Sequence, residues 1–255
     1  MNMKKILCLV LAMLMVVTCL AGCGAKKDDS KLVMATNAAF PPYEYMEGDE
    51  FKGIDIELAE KLAEKLGKEL VIENVEFGSI VTGVQTGKYD VGIAGMTVTD
   101  ERKEKVNFSE SYATGIQVVI VKNDSKIKSL DDLSDPDVMI GVQQDTTGHI
   151  YAADTVENGG YGEDHVNAYL SGADAVNALV SDKVDAVIID NEPAKSFVAA
   201  NDGLQILDAE WAVEDYAIAI NKEDTKLLED INKAIAEMKA DGTLKSIIET
   251  YIPAK

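Results

Sequence analysis

Three junctions in the sequence end an apolar run in residues able to hold charge or make hydrogen bonds. In the first, Val91-Gly92-Ile93-Ala94-Gly95-Met96-Thr97 leads through Val98-Thr99-Asp100-Glu101 to Arg102. A strand-like run stops in a turn of small residues, Asp100 is placed to cap the next helix, and Arg102 falls in the first helical turn. A cation there opposes the helix dipole, which favours negative charge at that end. Either Glu101 or Glu104 neutralises it, or the guanidinium reaches across the turn to clamp a carboxylate through two parallel hydrogen bonds. In the second case Thr97 adds a hydroxyl and an amide, and Gly95 a carbonyl.

The second junction is Ile140-Gly141-Val142-Gln143-Gln144-Asp145-Thr146-Thr147-Gly148, entering a helix near His149. Amides exposed at a helix start form an anion seat, although Thr146 or Thr147 as a simple cap accounts for the same pattern. The third is Ala186-Val187-Ile188-Ile189-Asp190-Asn191-Glu192-Pro193. Pro193 suits a first helical turn, so Asp190 or Asn191 could cap it; alternatively Asp190 is the counter-charge for an ammonium group. A cation at one junction and a carboxylate at another together complement a zwitterion.

The elements that must carry these junctions are legible from periodicity. Leu32 to Thr36, Leu70 to Val75 and Val91 to Ala94 read as strands, with a helix through Ile54, Leu58, Leu62 and Leu66 stopped by Gly67 and a second from about Ser79 to Gln85. After residue 125 the theme repeats in Val138 to Val142, Ala186 to Ile189 and Leu204 to Leu207, and two helices parted near Asp241-Gly242 close the chain. Such alternation indicates α/β layers with mainly parallel sheets. Ile116 to Val121 and Tyr216 to Ile220 flank the central block and read as crossovers between an outer, discontinuous unit and an inner, continuous one. Asn158-Gly159-Gly160 marks a loop.

The 45 acidic residues outnumber the 24 basic ones, for a formal net charge of −21. That field argues against nucleic acid and anionic headgroups, both of which are met by clustered Lys and Arg. The two histidines have no cysteine partner at metal-ligand spacing, so no metal or other cofactor is expected.

The N-terminus has Lys4 and Lys5, then an apolar run from Ile6 to Leu20. This is the pattern of a secretory signal peptide over residues 1–22, too short for a spanning helix of roughly 20 apolar residues. Leu20-Ala21-Gly22-Cys23 resembles a bacterial lipobox, which implies a diacylglyceryl anchor on Cys23 and a polar tether over residues 23–30. With Cys8 and Cys19 removed and Cys23 acylated, the mature domain has no thiol to pair. The protein is thus expected on the outer face of the cell membrane.

Gly53-Ile54-Asp55-Ile56-Glu57-Leu58-Ala59, the stretch from Ala94 to Arg102 and the stretch from Ala186 to Pro193 resemble the family-3 bacterial solute-binding proteins, the polar amino-acid receptors of ABC importers, over nearly all of residues 31–252. The resemblance implies a two-lobed, periplasmic-binding-protein-like type II α/β fold with the two crossover strands as hinge. Lobe 1 would be 31–118 plus 218–255, and lobe 2 would be 119–217. It further implies that Arg102 pairs with an α-carboxylate, aided by the amides of Thr97 and Thr147. Asp190, the Gly95 carbonyl and the Thr97 hydroxyl would hold an α-ammonium. Phe40 and Phe77 match positions that wall the side-chain pocket, Asn37 and Gln143 match positions that tune specificity, and Met96 sits within the matched turn. Neutral residues at 37 and 143 favour a polar, uncharged ligand side chain, although Glu44, Asp55 or Asp145 could supply a counter-charge.

The function implied is capture of a free amino acid for a membrane permease by a monomeric, lipid-anchored receptor without catalytic residues. A dehydratase-like enzyme is the second reading, because fold does not fix function, but no dedicated acid or base stands out. A sensory input module is the third; it would need a transmembrane helix and a signalling domain downstream of the final helix.

Overall fold

The computed structural model describes residues 28–253; the expected signal segment and Cys23 lie outside the described residues. Helix α1 (Ile54–Leu66) illustrates how the pattern becomes structure. Ile54, Leu58, Ala59, Leu62 and Ala63 recur at helical spacing, and all are buried. Gly53 opens the helix at φ 121, where a side chain would run into the carbonyls of Pro42 and Tyr43. Gly67 closes it in the left-handed conformation at φ 66.

Two sheets organise the chain. In the first, β5 (Glu69–Asn74), β1 (Lys31–Thr36) and β6 (Val91–Gly92) run parallel, and β14 (Ala219–Ile220) and β7 (Asn107–Phe108) complete the order β5-β1-β6-β14-β7. In the second, β10 (Val166–Tyr169), β9 (Ile140–Gln143) and β11 (Ala186–Asp190) run parallel. The long β8 (Ala113–Lys122) lies antiparallel to β11 on one side. On its other side it pairs with β12 (Leu204–Ile206) near its end and β13 (Ala212–Tyr216) near its start, both antiparallel. A small antiparallel sheet of β2 (Ala39–Phe40), β3 (Glu44–Glu47) and β4 (Glu50–Lys52) stands apart.

The sheets are therefore mixed rather than mainly parallel. Strands β8 and β14 each arrive from the other sheet, with no crossover helix to return them in the parallel sense, and each enters antiparallel. The segment Tyr216 to Ile220, expected as one strand, is divided: β13 ends at Tyr216 in the second sheet, and β14 begins at Ala219 in the first. The boundary expected at 118/119 falls inside β8, all of whose pairings lie in the second sheet.

The helices α2 (Phe77–Gln85), α3 (Asp100–Lys105), α4 (Thr147–Ala153), α5 (Gly172–Val180) and α6 (Asn191–Ala200) follow strands, and α7 (Thr225–Ala240) and α8 (Thr243–Tyr251) end the described chain. The side chains of β8 alternate between two apolar clusters, Val118 and Ile120 in one, Val119 and Val121 in the other. A strand covered on both faces reads as an unbroken apolar run, and this one does.

Leu62 is fully buried among the residues joining α1 to α7 and α8. Leu62→Ala should cost about 2–5 kcal/mol. A thermal melt should show the midpoint falling by roughly 5–15 °C, given about 2–4 °C per kcal/mol at this size; an unchanged midpoint would contradict the packing.

Candidate functional site

The carboxyl ends of β1, β6, β9 and β11 converge on one cavity of about 310 Å³ of non-atom space. Nine of the ten residues singled out in the sequence line it: Asn37, Phe40, Phe77, Gly95, Thr97, Arg102, Gln143, Thr147 and Asp190. Met96 does not. Its side chain is fully buried on the far side of the turn, packed in the cluster of Ile80, Val84 and Val106, as alternation along an extended segment requires. Glu44, Ala94 and Thr146 also line the cavity.

Arg102 sits in the first turn of α3, whose cap is Thr99 rather than Asp100; the Thr99 hydroxyl accepts from the Arg102 amide at 3.2 Å. Arg102 is 7% exposed and forms no salt bridge among the described residues. Glu101 is paired instead with Lys105, at 2.7 Å. Arg102 donates Nη1 to the Thr97 carbonyl at 2.8 Å and Nη2 to the Asp145 carbonyl at 2.9 Å, and it lies over the Phe77 ring at 5.3 Å from the centroid. Burial pulls its pKa down, with the negative charge of Glu214 foremost among the groups that oppose this. The cation is thus held by dipoles and a ring face, with no carboxylate bound to it.

Asp190 begins α6, yet its side chain makes no capping bond. One oxygen accepts from the Tyr216 hydroxyl and the other from Gln117 Nε2 at 2.9 Å. Burial raises its pKa to about 7; the Tyr216 hydrogen bond opposes the shift and the charge of Glu214 adds to it. At the second junction Thr146 is the cap, accepting from the His149 amide. That leaves the Thr147 hydroxyl free to reach Glu214 at 2.9 Å.

The cavity wall crosses between the sheets. Gln143, from β9, donates to Asn37 Oδ1 at 2.9 Å, and Asn37 donates onward to the Val75 carbonyl at 2.8 Å. Gly78 of α2 lies so close to the Asp145 side chain that a Cβ there would collide with it. Gly95, at φ 48, lets the Phe40 ring approach; an added Cβ would stand 2.9 Å from it.

Beneath this floor, Asp55 Oδ2 accepts from the Gly95 amide at 2.7 Å and from Tyr112 at 2.9 Å. Burial raises its pKa to about 6 against those hydrogen bonds. Glu44 beside it is also pushed up, by burial first and then by the charge of Asp55. Sequence reasoning did not find Glu214, Gln117 or Tyr216, which support the cavity from β13 and β8. The one available signal was alternation along Ala212 to Tyr216, and it is inverted, with Val213 exposed and Glu214 buried.

A two-lobed α/β fold with a charged cavity at strand carboxyl ends defines a binding protein of the type II class. The chain matches the profile of the bacterial extracellular solute-binding proteins, family 3, over residues 32–254, and it belongs to that family. It is 36% identical over 253 residues to the arginine-binding extracellular protein ArtP of Bacillus subtilis (strain 168), covering 96% of each chain. Among solved structures, an ancestral arginine-binding protein bound to arginine superimposes with a TM-score of 0.79 at 38% identity, covering 87% of this chain and 98% of that one. The structure of an ancestral arginine-binding protein bound to glutamine gives 0.80 at 37%, covering 88% and 99%. All three of these relatives are named as arginine-binding proteins, and the first as an extracellular one.

Because the folded pKa values of Asp55 and Asp190 lie above the ordinary value of 3.8, the stability they contribute is fully present below about pH 4. It is lost as the pH rises through 6 and then 7. A carbon-detected NMR titration should show two aspartate carboxyls with midpoints near those values, and Asp190→Asn should remove the upper one. Two midpoints near 4 would contradict the burial described.

Proposed function

We propose that this protein is the capture component of an ABC importer, binding a free polar amino acid outside the cell and delivering it to a membrane permease without altering it. The observation that carries this reading is the pairing, across one cavity, of a buried arginine and a buried aspartate that, among the described residues, have no carboxylate and no cation bound to them respectively. In this reading Arg102 takes the α-carboxylate with the amides of Thr97 and Thr147. Asp190, the Gly95 carbonyl and the Thr97 hydroxyl take the α-ammonium. Phe40 and Phe77 flank the ligand side chain, and Asn37 and Gln143 meet its polar end.

The lobes we propose follow the sheets, with residues 31–112 and 217–253 in one and 113–216 in the other. Opening would turn about the two connections between sheets, next to which the Thr97–Tyr216 bridge and the bond from the Val98 amide to the Asp215 carbonyl (3.0 Å) join the lobes. Support for capture of an amino acid also comes from relatives named for binding arginine, cystine and glutamine. Anchoring through Cys23 rests on the lipobox-like sequence alone.

A thermal-shift screen of the common amino acids should raise the melting midpoint for one or a few, since a ligand bound only to the native state stabilises it by mass action. Arg102→Ala should weaken that ligand at least 30-fold by calorimetry while the free protein still folds, the loss expected when one member of a buried charge pair is removed, about 2–5 kcal/mol. Unchanged affinity would defeat the proposed site. Separately, Cys23→Ala should move the protein from the membrane fraction to the soluble one, and retention in the membrane would show the anchor to be misassigned.

A further inference from the structure

Glu214 is 5% exposed and does not line the cavity; it stands directly behind it. Its Oε2 accepts from Thr97 Oγ1 at 3.0 Å, from Thr147 Oγ1 at 2.9 Å and from Gln117 Nε2 at 3.0 Å. Thr97 follows the first sheet, whereas Thr147 and Gln117 belong to elements of the second, so one carboxylate oxygen gathers donors from both. Gln117 gives its other Nε2 proton to Asp190, which places the two carboxylates on a single amide.

A threonine hydroxyl has one proton to give and two lone pairs to offer. Once Thr97 and Thr147 have both given that proton to Glu214, each oxygen can only accept from whatever occupies the cavity. The two oxygens lie 3.4 Å apart, both lining the cavity, with Asp190 also on its wall. Such a set of acceptors suits a group that brings several N–H donors and no lone pair.

We propose that Glu214 is a positioning residue that fixes the Thr97 and Thr147 hydroxyls as acceptors, so that the site takes an α-ammonium and rejects ligands lacking one. This rests on the amino-acid reading above and adds a cause for its selectivity. A 2-oxo acid, or an acid with hydrogen in place of the amine, would leave these acceptors without a donor from the ligand and Asp190 without a counter-charge, which is costly. In Glu214→Leu the shared acceptor is gone, whereas Glu214→Gln could keep a carbonyl oxygen in the place of Oε2. In the leucine variant the two hydroxyls must turn to other acceptors, and a hydroxyl proton can point into the cavity.

The test compares L-arginine with 5-guanidinopentanoic acid, which differs only in lacking the amine, by calorimetry on the wild type and on Glu214→Leu. L-Glutamine and its desamino counterpart replace the pair if the screen favours them. We expect Glu214→Leu to bind the amino acid at least 30-fold more weakly while its affinity for the desamino acid changes less than threefold. In a Thr97→Val, Thr147→Val background the same substitution should add less than a twofold loss, because the groups through which it acts are gone.

Equal loss of both ligands, or losses that multiply in the combined variant, would overturn the proposal and leave Glu214 a structural residue. A wild type that binds the desamino acid as tightly as the amino acid would overturn it too. Wild-type binding of no amino acid at all would instead remove the reading beneath it, which the Arg102→Ala comparison detects separately. Should Glu214→Leu not fold, Thr97→Val alone must show the same preferential loss of the amino acid, and equal loss of both ligands there would be decisive against it.

Discussion

Opposite charges buried in one cavity would ordinarily collapse onto each other, because a direct ion pair recovers part of the cost of desolvation. Here Arg102 and Asp190 are kept apart, and each is supported by groups that carry no net charge. Two backbone carbonyls and a ring face hold the guanidinium. A phenol and an amide hold the carboxylate. Neutral dipoles make burial bearable without consuming either charge. The remaining penalty is visible in the direction of both shifts, Arg102 pulled down and Asp190 pushed up. A zwitterion entering between them would relieve both at once, which gives a physical reason for the site to prefer a ligand carrying both charges.

Holding those charges apart needs two rigid platforms and a connection that sets their spacing. The first sheet ends in the turn that carries Thr97 and leads into Arg102, and the second ends in Asp190. Strands β8 and β13 pair with each other at their near ends, where the chain passes between sheets. Tyr216, the last residue of β13, bridges to Thr97 on one side and bonds Asp190 on the other. The same short region therefore connects the two sheets and supports the site. Gly115 opposite Glu214 in the ladder leaves the space that the Tyr216 hydroxyl and Asp190 occupy.

How much of this could be read from the sequence follows from where each signal was stored. Helix α1 and strands β1, β6, β9 and β11 were legible because apolar spacing and glycine stops are local. Most of the cavity was legible because its residues lie at the ends of those strands, and the family resemblance assigned roles that the spacing left open. The local capping alternatives were settled only by side-chain direction: Thr99 and Thr146 cap their helices, whereas Asp190 turns away from its own. Met96 was misplaced because an extended segment sends neighbouring side chains to opposite faces. Glu214 was invisible for a deeper reason. Its strand buries an acid and exposes a valine, so hydrophobic alternation points the wrong way, and only contacts with Thr97, Gln117 and Thr147, 67 to 117 residues away in sequence, explain the burial.

The acids around the cavity overstate its charge. Glu44 and Asp55 share a buried corner, and their surroundings treat them differently. Asp55 receives the Gly95 amide and the Tyr112 hydroxyl, which favour its ionised form, whereas the neighbours that bear on Glu44 are themselves acids. Burial and the Asp55 charge both drive Glu44 toward keeping its proton. Glu44 lines the cavity beside the neutral amides of Asn37 and Gln143. Under the proposed ligand orientation, fixed charge is concentrated at the end that takes the backbone zwitterion, while the side-chain end offers hydrogen bonds from groups able to donate or accept. A wall of that kind discriminates by shape and hydrogen-bond pattern. A cationic side chain would favour the ionised form of Glu44, which ties the question of ligand class to the protonation of that residue.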